Sequence, residues 1–314
     1  DHALAAAAEV PPPEPGRGRI APAPRWFVWL GLIALAGYAV FLSIHMTAVA
    51  GGSDSSGYLN SARLFAEGKV RADLRVPSEY SGLALNRKHF SPAGFDLFPV
   101  HQDLAPAYPS GFPLHLALAG RWLGWRAGPF LAQLLAALLA VWLCYRVARE
   151  LGIDYALAGA GAAILAVFPV FIFSSFQTLS DTLATTWTLA ALWFALRGRT
   201  SHRWAVACGA AMAVAVLVRP TNVFLAPGLM AILGWDFRRL ASFVLGGVPG
   251  AIWLGLYNHS VYGGIFRSGY GESIFVSFAL EYAGMTTVHF AKWLALFLPS
   301  VLLVLPFAAS KSPS

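Results

Sequence analysis

Three ionisable residues of this chain lie directly beside long apolar segments, where a charge is costly unless it has a partner or a task. Asp54 follows the first apolar segment, Asp181 precedes another, and Arg219 follows a third. A carboxylate at such a boundary can act as a general base, and two carboxylates can share acid and base roles or bind a divalent cation. A guanidinium forms bidentate hydrogen bonds to phosphate. We therefore take all three as candidate site residues, with a phosphate as the candidate ligand of Arg219.

Each of these residues also has a purely structural explanation. Asp54 and Asp181 both lie where a helix is expected to begin, so either could cap a helix amino terminus. Arg219 could extend its charge to the membrane surface or pair with a loop carboxylate. The sequence leaves these alternatives open.

Further cations lie in the loops. Lys88 and His89 belong to the cationic run Asn-Arg-Lys-His, and Arg267 lies in a later loop near Tyr270. All four side chains are candidates for binding an anionic headgroup, although solvated loop charge is the commoner explanation of such residues.

The sequence has no run with the residue spacing of a metal site, so we predict no metal ligands. Cys144 and Cys208 fall inside apolar segments, as is typical of packing residues. We expect His115, in an apolar segment, to be a hydrogen-bonded structural residue. No cofactor is certain, and a divalent cation at Asp54 and Asp181 stays possible.

The composition indicates a membrane protein. Hydrophobic residues make up 57% of the 314 residues, charged residues only 12%, and the mean hydropathy is +0.61. Because soluble domains carry about 25% charged residues, this chain has too few polar groups to cover a surface in water. We predict an all-α integral membrane fold, in which the net charge of +7 reflects topology rather than a nucleic-acid partner.

Eight apolar segments are predicted to cross the bilayer. The first, about Trp26 to Ala50, is long enough to span and is expected to be an uncleaved anchor. The other seven are residues 127–145, 155–173, 182–196, 204–218, 221–235, 240–257 and 293–309. The segments 182–196 and 204–218 are short and need flanking polar residues to reach across.

The arginines predict the orientation. One set of short loops carries seven of them, against Arg219 and Arg267 in the other set: Arg146, Arg149, Arg197, Arg199, Arg203, Arg238 and Arg239. The positive-inside rule then places the amino terminus in the cytoplasm and residues 51–126 outside, as a long first extracytoplasmic loop of a multi-pass protein in the cytoplasmic membrane.

Three pieces of that loop have predictable structure. Residues 55–69 show the spacing of an amphipathic helix lying on the membrane surface. Residues 106–113, Pro-Ala-Tyr-Pro-Ser-Gly-Phe-Pro, cannot form a regular helix. The apolar residues 114–123 are too few to cross and are expected to be re-entrant or interfacial.

Four stretches, in this order along the chain, resemble the GT-C superfold of integral-membrane glycosyltransferases that use a polyprenyl-phosphate-linked sugar. They are Gly-Gly-Ser-Asp-Ser-Ser-Gly-Tyr at 51–58, the proline-rich stretch at 106–113, Ser-Asp-Thr at 180–182 and Arg-Pro-Thr-Asn at 219–222. The loop at 257–270 is similar to an element of bacterial members, such as the mannosyltransferases and aminoarabinose transferases of the cell envelope. The resemblance covers about residues 26–272, and the order of the short motifs carries it.

The resemblance implies that Asp54 is the catalytic base of an inverting transfer on the extracytoplasmic face. The donor would be a polyprenyl-phosphate sugar, and the acceptor a hydroxyl of a lipid, glycan or protein. Arg219, with Lys88 or Arg267, would stabilise the departing phosphate. Some members have a second acidic residue beside the first, where this chain has Ser55, which puts a metal-dependent mechanism in doubt.

We therefore expect a disordered cytoplasmic tail at residues 1–24, a GT-C-like catalytic module at 25–272, and a further transmembrane helix within 273–314. Members commonly continue with more spans and an outer domain, so the chain is either a short member or part of a longer enzyme.

The alternative function is a transporter or flippase of a lipid-linked molecule, which should place ionisable residues near the bilayer midplane. A structural subunit would leave the long charged loop unexplained.

Overall fold

Helices dominate the structure, a computed structural model that describes residues 21–47, 49–80, 87–98, 103–269 and 282–297. The helices are α1 Arg25–His45, α2 Ser53–Ala66, α3 Gly111–Leu123, α4 Gly128–Glu150, α5 Tyr155–Val167, α6 Pro169–Phe176, α7 Ser180–Gly198, α8 His202–Val218, α9 Ala226–Leu233, α10 Phe237–Tyr262 and α11 Ala283–Phe297. Short 3₁₀ helices occupy Ser78–Tyr80, Arg87–Phe90 and Pro220–Leu225. This confirms the predicted helical class, while most of the predicted tail, residues 1–20, lies outside the described residues.

The long apolar helices make this a multi-pass membrane protein. Within the described ranges, α1, α4 and α10 are each long and apolar enough to cross a bilayer. Helices α5 and α6 form a fourth candidate span if they are taken together, with a bend of 55° between them. Pro169 begins α6 at this bend, where its missing N–H interrupts the helical hydrogen bonds.

The other predicted spans have less regular counterparts. Residues 221–235 do not form one helix, because Pro220 begins the 3₁₀ helix and Pro227 lies in the first turn of α9, where a new helix starts. Helix α8 has 17 residues and α7 has 19, and α7 carries charged residues at both ends. The last predicted span, 293–309, is described only as far as Phe297. The count of eight crossings stays a prediction.

Helix α2 lies in the long first loop and begins two residues earlier than its sequence pattern predicts. Its apolar face, with Tyr58 and Ala62, is buried against Phe112 and Leu116 of α3. The expectation that this face rests on the membrane surface is therefore wrong. The side chains of α3 offer it a complementary apolar surface, and protein replaces lipid as its partner.

Helix α3 begins inside the stretch that was expected to be non-helical. Residues 106–110 are irregular or extended, whereas Gly111, Phe112 and Pro113 form the first turn. Proline is tolerated there because the first-turn N–H groups have no partner within the helix. Trp122 and Leu118 are exposed on the outer face of α3, which suits an interfacial position.

A small antiparallel sheet completes the loop. Strand β1, Phe95–Leu97, pairs with strand β2, Leu104–Pro106, with Phe95 opposite Pro106. Ala72 adds an isolated bridge to Leu104. The sheet leads directly into Tyr108 and α3.

Helices α7, α8 and α10 pack through small side chains. Ala191 and Ala195 of α7 are buried against Ala205 and Cys208 of α8. On the other side of α8, a Cβ atom at Gly209 would clash with the carbonyl oxygen of Phe243, and one at Gly246 would clash with that of Val206. Small residues let membrane helices approach this closely.

The α8–α10 contact yields a stability test. Gly246→Ala should lower the free energy of unfolding by about 1–3 kcal/mol, because the added methyl group meets rigid backbone. The midpoint of thermal denaturation in detergent should fall accordingly. Gly247→Ala is the matched control, because a Cβ atom there makes only an ordinary contact, 3.7 Å from the carbonyl oxygen of Gly209. Equal midpoints for the two variants would contradict the close packing.

Candidate active site

Asp54 projects from the first turn of α2 towards Tyr108. The N-cap of α2 is Gly52, and no side chain caps the helix. Asp54 Oδ1 accepts a hydrogen bond of 2.6 Å from the Tyr108 hydroxyl and a longer one, 3.3 Å, from Ser53 Oγ. The helix-cap explanation of Asp54 is therefore wrong, and its exposed carboxylate remains open to a ligand.

Two glycines bring Tyr108 within reach of Asp54. A Cβ atom at Gly57, one turn after Asp54, would lie 2.7 Å from Tyr108 Cδ2 and 2.8 Å from the Cα of Gly94. Gly94 has φ +83°, which favours glycine, and its Cα packs against Gly57. The segment before β1 and the Tyr108 ring therefore approach α2 much more closely than side chains would allow.

A chain of hydrogen bonds connects α2 with the membrane helices. The Tyr58 and Tyr108 rings lie 4.8 Å apart, and the Tyr58 hydroxyl shares a 3.0 Å hydrogen bond with Ser180 Oγ. Ser180 Oγ also accepts from Arg219 Nε at 3.2 Å. Arg219 Nη2 donates to Asp181 Oδ2 at 2.7 Å. We call these six residues the polar network: Asp54, Tyr58, Tyr108, Ser180, Asp181 and Arg219.

The structure decides between the explanations of Asp181 and Arg219. The N-cap of α7 is Leu179, without a side-chain cap, so Asp181 does not cap this helix. Arg219 does pair with a carboxylate, although its partner lies on a helix rather than in a loop, and this pairing leaves a phosphate ligand open. The two side chains are 45% and 41% exposed, and an ion pair so exposed contributes at most about 1 kcal/mol. Both groups stay accessible to a ligand.

Gln133 of α4 holds the turn that precedes Asp181. Its buried amide nitrogen lies 2.8 Å from the carbonyl oxygen of Ser174, 3.0 Å from that of Gln177 and 3.3 Å from that of Leu179. These carbonyls end α6 and lead into α7, where they lack helical partners. Nothing in the sequence around Gln133 signalled this role, because its partners are more than 40 residues away.

His115 connects α3 to α7. Its Nδ1 lies 2.7 Å from the Gly111 carbonyl oxygen, and its Nε2 lies 3.2 Å from Trp187 Nε1. Since the Trp187 indole can only donate, His115 Nε2 must accept its hydrogen bond. Nδ1 then carries the ring hydrogen and donates a hydrogen bond to the Gly111 carbonyl oxygen. The structural role predicted for His115 is confirmed, and the neutral ring holds α3 against the helix that carries Asp181.

An apolar groove opens beside the Asp181–Arg219 pair. Its volume is about 420 Å³, and most of its lining is hydrophobic. It runs between α5, α6, α7 and the 3₁₀ helix that follows Arg219. The lining residues include Leu165, Phe168, Phe171, Ala184, Leu189 and Leu225. A charged pair at an apolar groove suits a ligand with an anionic head and a hydrocarbon tail.

The remaining predicted site residues lie outside the polar network. Lys88 pairs with Asp96 at 3.2 Å on the exposed loop surface, and His89 beside it is exposed. This agrees with the solvated-charge explanation of the cationic run. Arg267 is exposed in the loop after α10. The hydrogen bond from the Tyr262 hydroxyl to the Pro106 carbonyl oxygen holds the start of this loop near Tyr108. Tyr270 lies outside the described residues.

The divalent cation that the sequence leaves possible has no ready-made cluster of ligands in the described residues. In the ranges that the structure describes, no three side chains of His, Cys, Asp or Glu lie together. Asp54 and Asp181 are each bonded to a protein donor, Tyr108 and Arg219 respectively.

Comparison with known proteins gives one family match. A family model described as dolichyl-phosphate-mannose-protein mannosyltransferase matches residues 115–254, from α3 to α10. This match confirms the resemblance to the GT-C membrane glycosyltransferases. It leaves out α2 and Asp54, which precede the matched residues. No curated protein sequence matches the chain.

Among solved structures, the fold is similar to ArnT from Cupriavidus metallidurans, crystallised with undecaprenyl phosphate. The TM-score is 0.49 and the sequence identity is 18%, over 75% of this chain and 42% of the ArnT chain. The chain thus spans less than half the length of this ArnT chain.

The His115 contacts predict a pH dependence of stability. Burial lowers the pKa of His115 below its ordinary value of 6.5, and the bond to the Gly111 carbonyl offsets this in part. The unfolded chain therefore takes up a proton at a higher pH than the folded chain. The free energy of unfolding should fall as the pH drops below 6.5.

Thermal denaturation over a pH series should show this loss in the wild type and a smaller loss in His115→Gln, which keeps a polar side chain but does not titrate. Identical pH profiles would show that His115 is not held in its neutral form.

Proposed function

We propose that this chain forms the donor-binding and catalytic part of an integral-membrane glycosyltransferase. It would transfer a sugar from a polyprenyl phosphate to an acceptor hydroxyl, with inversion, at the extracytoplasmic face. One observation carries the proposal: the polar network joins an exposed carboxylate, Asp54, to a cation at an apolar groove, Arg219. The family match and the order of the sequence motifs support it.

Asp54 is the proposed general base. Tyr108 occupies Oδ1, and among the described residues no protein donor is bonded to Oδ2. Oδ2 is therefore available to the acceptor hydroxyl. The Tyr108 hydrogen bond and the close fit of Gly57 against Gly94 fix the direction of the carboxylate, which general-base catalysis requires.

Arg219 is the proposed phosphate-binding residue. Nε and Nη2 of its guanidinium are bonded to Ser180 and Asp181, so the group is already oriented before a ligand arrives. Its exposed part faces the groove, whose apolar walls suit the polyprenyl chain. Asp181 would hold the guanidinium of Arg219 in place. It would thus support binding of the phosphate through Arg219. Arg267 and Tyr270 remain candidates for contact with the sugar or the acceptor.

The proposed reaction is a single displacement. Asp54 takes the proton of the acceptor hydroxyl while that oxygen forms a bond to the anomeric carbon. The bond from this carbon to the phosphate oxygen breaks, and its electron pair leaves with the lipid phosphate. Attack opposite the leaving group inverts the anomeric centre. The charge that develops on the phosphate is stabilised by the preoriented Arg219.

The position of the network disfavours the transporter alternative. A transporter needs ionisable groups near the bilayer midplane. Here Asp54 lies at the start of α2, Asp181 in the first turn of α7, and Arg219 just after α8, so the charged groups lie at helix ends. We assign this end to the extracytoplasmic face, with the amino terminus in the cytoplasm, because the opposite ends carry most of the arginines.

Replacing Asp54 tests the general base. Asp54→Asn should lower the rate of sugar transfer or release by about 10²- to 10⁴-fold, because the amide keeps the shape of the side chain but cannot take the proton. The measurement is turnover of radiolabelled polyprenyl-phosphate sugars by the purified protein in lipid, with thermal denaturation to check folding.

Asp103→Asn, in the same loop, is the matched control and should keep the wild-type rate. Its carboxylate lies 3.9 Å from Arg71, outside the polar network. Full activity of a folded Asp54→Asn variant would refute the assignment. If the intact protein turns over no donor but moves the lipid across the bilayer, the transporter alternative is favoured.

Replacing Arg219 tests donor binding. Arg219→Gln should raise the KM for the lipid-linked donor about 10- to 100-fold, because it removes charge-assisted hydrogen bonds to the phosphate. The control is Arg203→Gln, which removes the same charge from the opposite end of α8, where the side chain is exposed. The measurement is kcat and the donor KM of both variants. An unchanged donor KM in Arg219→Gln would exclude the proposed role.

A further inference from the structure

A cluster of aromatic and charged side chains lies at the end of the bundle opposite Asp54. It is formed where α4 and α7 end and α8 begins. Its members are two arginines, one glutamate and four aromatic residues, which we call the Trp/Arg cluster: Trp142, Arg146, Glu150, Trp193, Phe194, Arg197 and Trp204. The proposed sugar-transfer mechanism uses none of them.

Both guanidinium groups lie against indole rings. Arg146 Cζ is 5.2 Å from the centre of the Trp142 ring and 4.9 Å from that of Trp193. Arg197 Cζ is 5.4 Å from the Trp193 ring and 4.5 Å from the Trp204 ring. All four distances lie within the range of cation–π attraction, about 6 Å. The rings fix the two cations without neutralising them.

The cluster has one more positive than negative charge. Glu150 Oε1 accepts a hydrogen bond from Trp193 Nε1 at 3.3 Å and lies 3.6 Å from Arg197 Nε. Arg146 has no carboxylate within 4.0 Å among the residues that the structure describes, although it is half-buried. Topology alone explains cations in water, but it does not explain a half-buried arginine whose guanidinium has no directly paired carboxylate.

An apolar stripe leads along α4 to this cation. Leu135, Leu139 and Trp142 are all exposed, and with Arg146 they follow the spacing i, i+4, i+7, i+11 on one helix face. At 1.5 Å per residue, the distance along the axis from Leu135 to Arg146 is about 16.5 Å. This is close to half of the hydrocarbon thickness, about 30 Å. The stripe therefore matches an acyl chain in one leaflet.

We propose that the Trp/Arg cluster binds the phosphodiester of an anionic phospholipid. The phosphate would lie at Arg146, towards Arg197, and one acyl chain would follow Leu139 and Leu135. A phosphodiester carries one negative charge, which equals the excess positive charge of the cluster. An anionic headgroup fits better than a zwitterionic one, because the latter brings no net charge to neutralise Arg146.

The test measures binding of phosphatidylglycerol to the purified full chain in detergent, by native mass spectrometry across a lipid titration. Arg146→Gln should weaken this binding about tenfold, the loss expected for a charge-assisted contact. Phosphatidylcholine should bind more weakly than phosphatidylglycerol to the wild type, and this difference should vanish in Arg146→Gln.

Arg238→Gln is the matched control, because it removes an exposed cation at the start of α10, outside the cluster. It should leave binding of phosphatidylglycerol unchanged. Equal losses in the two variants would show a diffuse charge effect and overturn the proposal.

A competition measurement distinguishes a lipid site from a site for free phosphate. Glycerol 3-phosphate, a headgroup analogue without acyl chains, should not compete at concentrations that saturate the lipid. Effective competition would indicate a site for free phosphate and overturn the lipid assignment.

If Arg146→Gln does not fold, Arg146→Lys replaces it. That variant keeps the charge but loses the planar fork, so it should still weaken lipid binding, and undiminished binding would refute the proposal.

Discussion

The hydroxyl of Ser180 is the contact on which the site depends. It bonds to Tyr58 of α2 and accepts from Arg219 after α8, while Ser180 itself begins α7. Because Ser180 and Tyr58 are both buried, water could not replace the Ser180 hydroxyl as the partner of the Tyr58 hydroxyl. One small side chain thus joins the first loop to two bundle helices, and the distance between the carboxylate of Asp54 and the cation of Arg219 follows from it.

Close backbone contact supplies the rest of the geometry. The bundle helices α8 and α10 approach each other through Gly209 and Gly246, and the first loop approaches α2 through Gly57 and Gly94. In the membrane, moving apolar surface from lipid into a helix contact provides little free energy. Such contacts are therefore stabilised mainly by van der Waals attraction between closely fitting surfaces. They also leave little freedom for the side chains around them. A rigid site is what a displacement reaction needs, because the base and the leaving-group partner must hold their positions within a fraction of an ångström.

The two ends of the bundle use arginine differently. At one end, Arg219 is held by a carboxylate and a hydroxyl beside an apolar groove. At the other, Arg146 and Arg197 are held mainly by indole rings. A hydrogen-bonded guanidinium has a fixed direction, which suits binding of a reacting phosphate. A guanidinium against aromatic rings is fixed in place but keeps its donors for a lipid headgroup. Both arrangements place cations at the membrane boundary, where anionic lipid phosphates are concentrated.

The sequence by itself determined the class of the protein and pointed to the three charged residues of the polar network. The low charge and the long apolar runs require a helical membrane protein, because backbone groups in lipid must be bonded within helices. Asp54, Asp181 and Arg219 were identifiable from the sequence because charges beside apolar segments are rare. Only the tertiary structure decided what these residues contact: Asp54 and Asp181 cap no helix, Arg219 is paired with Asp181, and the buried apolar face of α2 packs on α3. Tyr58, Tyr108, Ser180 and Gln133 could not be assigned from sequence, because their partners are distant along the chain and are selected by packing, which no local pattern records.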